Sequence, residues 1–271
     1  MMRAMSFDLS LINPALSLSG LVVGIIVGLT GVGGGSLMTP LLILFFGFKP
    51  VTAVGTDLLY AAITKAGGSW VHHKHGHVDW GITRRMAMGS VPAAAVTLGV
   101  LAWLGVDGHG TSHLISFSLG IALLLTATSI IFRQQLLDWA QRRQAGREPL
   151  SEAKIARLTV IMGAVVGVLV SVSSVGAGAL GVTALTFLYP RLPAHRIVGS
   201  DVAHAVPLTL VAGIGHWWLG SVDMLLLVSL LIGSLPGIAI GSHLASKVPE
   251  RLLRTFLATI LMLVGGKLIF S

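Results

Sequence analysis

The sequence predicts an all-α integral membrane protein of two inverted-topology repeats, each a broken helical hairpin followed by three transmembrane helices. Three observations carry this: a composition too poor in charge to face water, an internal repeat offset by the 144 positions that separate Asp57 from Asp201, and a small-residue break at the matching place in each half.

Apolar residues make up 54% of the 271 and charged residues only 10%, where a soluble globular chain carries about 25%. So few charges cannot cover a water-facing surface, so most of the exterior must meet lipid. The 34 glycines suit membrane helices that pack closely or must break. The net charge of +8 sits in short gaps between apolar runs, not on one stripe. That pattern is the topology rule of membrane proteins and not a nucleic-acid surface. The absence of cysteine excludes disulfides, thiolate catalysis and cysteine-held metals. The run beginning at Leu16 lacks a small-residue cleavage pattern and leads into a Gly-rich segment, so it is expected to be the first helix and not a signal peptide.

Apolar runs fall at 16–30, 36–48, 53–71, 81–104, 113–132, 155–172, 179–189, 198–217, 222–244 and 252–270. A span needs about 20 such residues, and the short runs flank two breaks. The first is Gly31-Val32-Gly33-Gly34-Gly35-Ser36; the second is Ser173-Ser174-Val175-Gly176-Ala177-Gly178. Each glycine costs a helix about 0.8–1 kcal/mol relative to alanine. The longest polar stretch carries Arg133, Arg142, Arg143, Arg147 and Lys154. It divides the chain into a first repeat at 16–132, a basic cytoplasmic linker at 133–154 and a second repeat at 155–271. The halves are related in sequence. Val54-Gly55-Thr56-Asp57 matches Val198-Gly199-Ser200-Asp201, His72 meets His216, Val78-Asp79 meets Val222-Asp223, and Gly89-Ser90-Val91-Pro92 meets Gly233-Ser234-Leu235-Pro236.

Charge sets the orientation. With the linker inside and each broken segment a hairpin, Lys74, Arg84, Arg85, Arg191, Arg196, Lys247, Arg251 and Arg254 all fall on the cytoplasmic side. Lys49 and Arg3 are the exceptions. The rival model, one interrupted span per break, would put both basic loops of the second half outside. Matching loops then carry opposite charge patterns, so the halves run in opposite senses. Secondary transporters use such inverted repeats with broken helices and bind substrate between them.

Each break opens a short helix, whose first N–H groups and positive dipole end favour an anion. Gly33, Gly34, Gly35, Gly176 and Gly178 allow close approach of backbone to ligand, and Thr30, Ser36, Ser173 and Ser174 add hydroxyls. Close helix packing alone is the competing account of these glycines. Lys65 stands deep in an apolar run two turns after Asp57, where a positive charge facing a cavity suits an anion. A pair with an acid on a neighbouring helix is the structural alternative. Asp57 and Asp201 are read either as first-turn caps or as proton sites. His204, three residues beyond Asp201 and matched by Tyr60, is a candidate proton carrier. Asp79 and Asp223 read as caps of the helices that follow, and Pro92 and Pro236 as matched kinks. The run His72-His73-Lys74-His75-Gly76-His77 has metal-tract composition but no fixed ligand spacing. With Asp57 and Asp201 it defines the alternative of a divalent metal-cation transporter. No Lys follows Gly35, so the first break is no P-loop, and no nucleophile–base constellation of an enzyme is present.

The Gly-Val-Gly-Gly-Gly-Ser break, the Val-Gly-Thr-Asp motif, the Gly-x-Val-Asp ending at Gly76 to Asp79 and their weaker copies resemble the sulfite exporter TauE/SafE family over nearly the whole chain. The resemblance implies a permease of the bacterial inner membrane. Its substrates would be sulfite, sulfonates or related small sulfur-containing or carboxylate anions, coupled to protons and without a cofactor. Many members carry Ser or Asn where Asp57 stands, a departure that bears on coupling and substrate. A homodimer fits so small a carrier.

Overall fold

The computed structural model describes residues 14–30, 35–105, 109–132, 135, 151–176, 178–244 and 249–270. Among them are ten helices: α1 (Pro14–Thr30), α2 (Gly35–Leu44), α3 (Pro50–Lys74), α4 (Trp80–Leu104), α5 (His109–Ile131), α6 (Glu152–Ser173), α7 (Ala179–Leu188), α8 (Ala194–Trp218), α9 (Met224–Leu244) and α10 (Glu250–Phe270). The expected linker lies outside the described residues except for 135 and 151–154, and α6 begins at Glu152, inside the stretch assigned to it.

Helix starts follow local chemistry. Pro50 opens α3 at a position where its missing N–H costs nothing. Ser151 accepts a hydrogen bond from the Lys154 amide at the start of α6. Asp79 caps α4 by accepting from the amides of Gly81 and Ile82, and Asp223 accepts from Leu226 at the start of α9. Those two acids are caps, as their spacing predicts. Pro92 and Pro236 lie inside α4 and α9.

Matching helices agree closely in length, with 10 residues in each of α2 and α7 and 25 in each of α3 and α8. The contacts between halves are exchanged in the same way. Gly20 and Gly24 of α1 lie against the backbone of Leu230 and Ser234 in α9, while their counterparts Gly163 and Gly167 of α6 lie against Met86 and Ser90 in α4. A Cβ at any of these four would strike main-chain atoms, which is why small residues recur there. The amide of Asp79 donates to Ser200 Oγ at 2.8 Å, and the amide of Asp223 donates to Thr56 Oγ1 at 3.1 Å. Residue i of one half meets residue j of the other, and the reverse pair also meets, as an isologous two-fold requires.

The sense of that two-fold follows from α3 and α8. Gly55 packs on His216, Leu59 on Gly213 and Gly68 on Val202, so the two equivalent helices run antiparallel and the axis relating them lies across both. The α1–α9 and α4–α6 pairs run parallel, by the contacts above. Since α9 returns from α8 across residues 219–223, α1 and α3 point the same way, with α2 between them. This symmetric pairing is that of inverted repeats.

Among the described residues five helices are long and apolar enough to cross a membrane: α4, α6 and α8, with α5 over His113–Ile131 and α9 over Met224–Gly241. At about 15 Å each, α2 and α7 reach only half of a ~30 Å hydrocarbon core. With α3 and α8 antiparallel, exposed Trp70 and Trp80 fall at one end of the molecule and Trp103, Trp217 and Trp218 at the other. Aromatic side chains of this kind sit at the two membrane interfaces. Lys74 stacks on Trp70 at 3.7 Å, and the first end also holds Arg84, Arg85, Arg191 and Arg196, the end that the positive-inside rule expects to be cytoplasmic.

Candidate functional site

The central helices α3 and α8 begin seven residues before their acids, so Asp57 and Asp201 lie two turns inside and not in a first turn. The capping account of them is therefore overturned. The apolar runs begin later than the helices because Pro50, Thr52, His195 and Arg196 occupy the first turns. Both carboxyls are buried, at 0% and 1% exposure, and buried carboxylates need partners.

Asp57 has them. The Thr39 hydroxyl of α2 donates to its Oδ2 at 2.5 Å, while the Ser174 hydroxyl of the second break lies near the same carboxylate without a hydrogen-bond partner among the described residues. This contact brings an element of the second half against the acid of the first. Asp201 lies with Oδ1 against Gly181 in the first turn of α7, a place closed to any larger residue. Lys65 interacts electrostatically with both acids. One lysine thus serves two acids, one from each half.

The second break takes its shape from backbone conformation. Ser174 ends α6 in the left-handed region at φ 58°, and its amide donates to Val170 O at 2.7 Å. Gly176 and Gly178 follow at φ 126° and 134°, values that a side chain disfavours. No side chain caps the start of α7. Ser173 is taken up locally, donating to Leu169 O at 2.7 Å and accepting from the Val175 amide at 3.2 Å. Of the first break, Gly33 and Gly34 lie outside the described residues; Gly35 and Ser36 open α2, and Thr30 closes α1.

Sequence reasoning missed several neighbours of these acids. Thr39 sits unmarked in an apolar run. His204 Nε2 shares a hydrogen bond with Ser90 Oγ at 2.8 Å, and the matched Tyr60 hydroxyl lies beside Ser234. Ser90 and Ser234 were visible as members of the repeated Gly-Ser-x-Pro motif, but not as partners of His204 and Tyr60. His216 Nε2 bonds Ser171 O at 2.9 Å, tying α8 to the last turn of α6 just before the break. Replacing Thr39 by Val, which keeps the shape and removes the donor, should destabilise the protein by about 1–3 kcal/mol. A detergent melting curve reads that directly, and an unchanged midpoint would show that Asp57 does not depend on the bond.

The histidine run lies partly inside helix α3, which continues to Lys74, and not wholly in a loop. Its rings are mutual neighbours. His77 lies 5.7 Å from His72, 5.6 Å from His75 and 4.7 Å from His195 of the other half, between ring centroids. Burial, with His195 and His75 beside it, holds His77 below the usual imidazole range. Its neutral ring is thereby favoured. Arg196 pairs with Asp79 at 3.1 Å nearby. Among the described residues, no group of three His, Cys, Asp or Glu side chains is arranged to hold a metal ion.

The family described as sulfite exporter TauE/SafE matches residues 16–268. The probable membrane transporter protein YjnA of Bacillus subtilis is 41% identical over 255 residues, covering 94% of this chain and 99% of its own. YdhB of the same organism, another probable membrane transporter protein, is 26% identical over 92% of this chain and 97% of its own. A probable membrane transporter protein of Methanocaldococcus jannaschii is 23% identical over 98% of each. No solved structure gives a significant match.

Proposed function

The chain belongs to the sulfite exporter TauE/SafE family, and from that premise we propose that it is a proton-coupled permease for a small sulfur-containing anion such as sulfite, sulfate, thiosulfate or an organosulfonate. The family makes it a multi-pass membrane transporter of small anions and not an enzyme. The finer reading is that each half, within 16–132 and 155–271, contributes a broken hairpin and three spans. The halves rock against one another about the shared site to give alternating access. The membrane is the inner membrane of a bacterial cell, and the protein works as a homodimer.

The observation that carries the anion site is Lys65, which interacts electrostatically with two buried acids supplied by opposite halves. In this reading the anion approaches Lys65 from between the starts of α2 and α7. Backbone N–H groups at Gly33, Gly34, Gly35, Gly176 and Gly178 face it, with the hydroxyls of Thr30, Ser36, Ser173 and Ser174 around them. Asp57, Asp201 and His204 handle the proton. Broken helices that aim their positive ends at an anionic group near the midplane are a recurrent device of inverted-repeat carriers.

Thermal stabilisation of the detergent-purified protein by sulfite, sulfate, thiosulfate, sulfonates, small carboxylates and divalent metals tests this. A ligand at 100 times its Kd stabilises by about 2.7 kcal/mol, so a selective upward shift with one anion is expected. A shift with Ni²⁺ or Zn²⁺ and with no anion would overturn the reading.

A further inference from the structure

Two acids related by the pseudo-two-fold have unlike surroundings. Thr39 of α2 corresponds to Thr183 of α7, each the fifth residue of its helix. Thr39 gives its hydroxyl proton to Asp57. Thr183 instead donates to Ala179 O at 2.7 Å and accepts from Ser129 Oγ of α5 at 2.8 Å, so it has no proton left for Asp201. The Ser174 hydroxyl, too, faces Asp57 and not Asp201. Among the described residues Oδ1 of both acids lacks a hydrogen-bond partner, so the two differ in the threonine hydroxyl that reaches Asp57 Oδ2 and has no counterpart at Asp201, which faces Lys65. The carboxyl is wedged against Gly181, with Lys65 facing it from α3 and His204 on its own helix.

Resting on the anion-carrier reading above, we propose that the two acids divide the work: Asp57 stays ionised throughout as a fixed partner of Lys65, and Asp201 alone carries the transported proton. Hydroxyl donors stabilise a carboxylate, and burial without them favours the acid. In the empty site Asp57 and Asp201 are both ionised and Lys65 faces both, a net charge of one negative. A monovalent anion that takes Lys65 draws that charge away from Asp201, which then binds a proton from the side the anion came from. Asp57, Lys65 and the anion again sum to one negative. Loading therefore leaves the charge of the buried site unchanged, which avoids placing a second uncompensated charge in a membrane interior. One proton moves with each monovalent anion, electroneutrally.

Proteoliposomes test this with isethionate, a monovalent sulfonate, and in parallel with thiosulfate and sulfite. Two assays are run on the wild type, Asp201→Asn and Asp201→Ser: accumulation driven by a pH gradient, and exchange of labelled for unlabelled anion at equal pH. The wild type should do both, with one proton taken up per isethionate and no response to an imposed membrane potential. The Asp201 variants should lose gradient-driven accumulation while keeping a measurable exchange, slowed because the acid also faces Lys65. Accumulation retained by a folded Asp201 variant overturns the proposal, as does exchange lost from one with an unaltered melting curve. Potential-driven isethionate uptake by the wild type overturns it independently of whether any variant folds. A wild type that moves none of the three anions in either assay overturns the carrier reading itself, and the inference with it.

Discussion

Lys65→Met is expected to abolish anion stabilisation at ligand concentrations near the wild-type Kd while leaving the protein folded. The side chain is partly exposed, on a helix whose neighbouring residues Ala53 to Ala62 are buried, and Met matches its length without its charge. The lost charge-assisted hydrogen bond to an anion is worth about 1.5–3 kcal/mol, roughly a 10- to 150-fold fall in affinity. The fold should survive because the two acids that lose their counter-ion have an exit: a buried carboxyl without a partner takes up a proton instead of holding an unpaired charge. Binding of the stabilising anion, measured by melting shift or isothermal titration at fixed pH, decides the matter. An affinity equal to wild type would remove Lys65 from the site and return it to a purely structural pair with Asp57 and Asp201.

Much of the architecture was legible because the repeat keeps the residues that touch the other half. Gly55 and Gly199 recur since each lies against a main-chain carbonyl across the interface, at Ser221 and His77. Thr56 and Ser200 recur since each receives the amide of a capping aspartate from the opposite half. A duplicated, self-complementary surface leaves the same short strings twice in one chain. The register of α3 and α8 was less legible. Hydropathy marks where a helix enters lipid and not where it begins, so the turns opened by Pro50 and Ala194 were lost and two mid-helix acids looked like caps. The signal that could have corrected this was Pro50 itself, well placed as the first residue of a helix. The bond from Thr39 to Asp57 and that between Ser90 and His204 had no local signal, because both join different helices whose proximity only tertiary packing creates.

Joining the two halves at the cytoplasmic end should stop transport completely. There His77 of the first half meets His195 of the second at 4.7 Å, with the Arg196–Asp79 pair at 3.1 Å beside them. The equivalent positions at the other end are Ser221, Val51, Thr52 and Asp223, where the amide bond to Thr56 remains but no ring contact or ion pair can form between those residue types. If the halves rock, this contact must part once in each cycle. An exposed ion pair is worth at most about 1 kcal/mol, so the contact as it stands biases that motion without preventing it. A covalent bridge would prevent it. The chain contains no cysteine, so His77→Cys with His195→Cys gives a single addressable pair. Treatment with a short, reducible thiol cross-linker should bring isethionate, thiosulfate and sulfite exchange to background in the double variant, spare each single variant, and be reversed by reductant. Undiminished exchange in quantitatively cross-linked protein would mean that the cytoplasmic end stays shut throughout the cycle, and the moving parts would then have to be sought within the broken hairpins instead of between the halves.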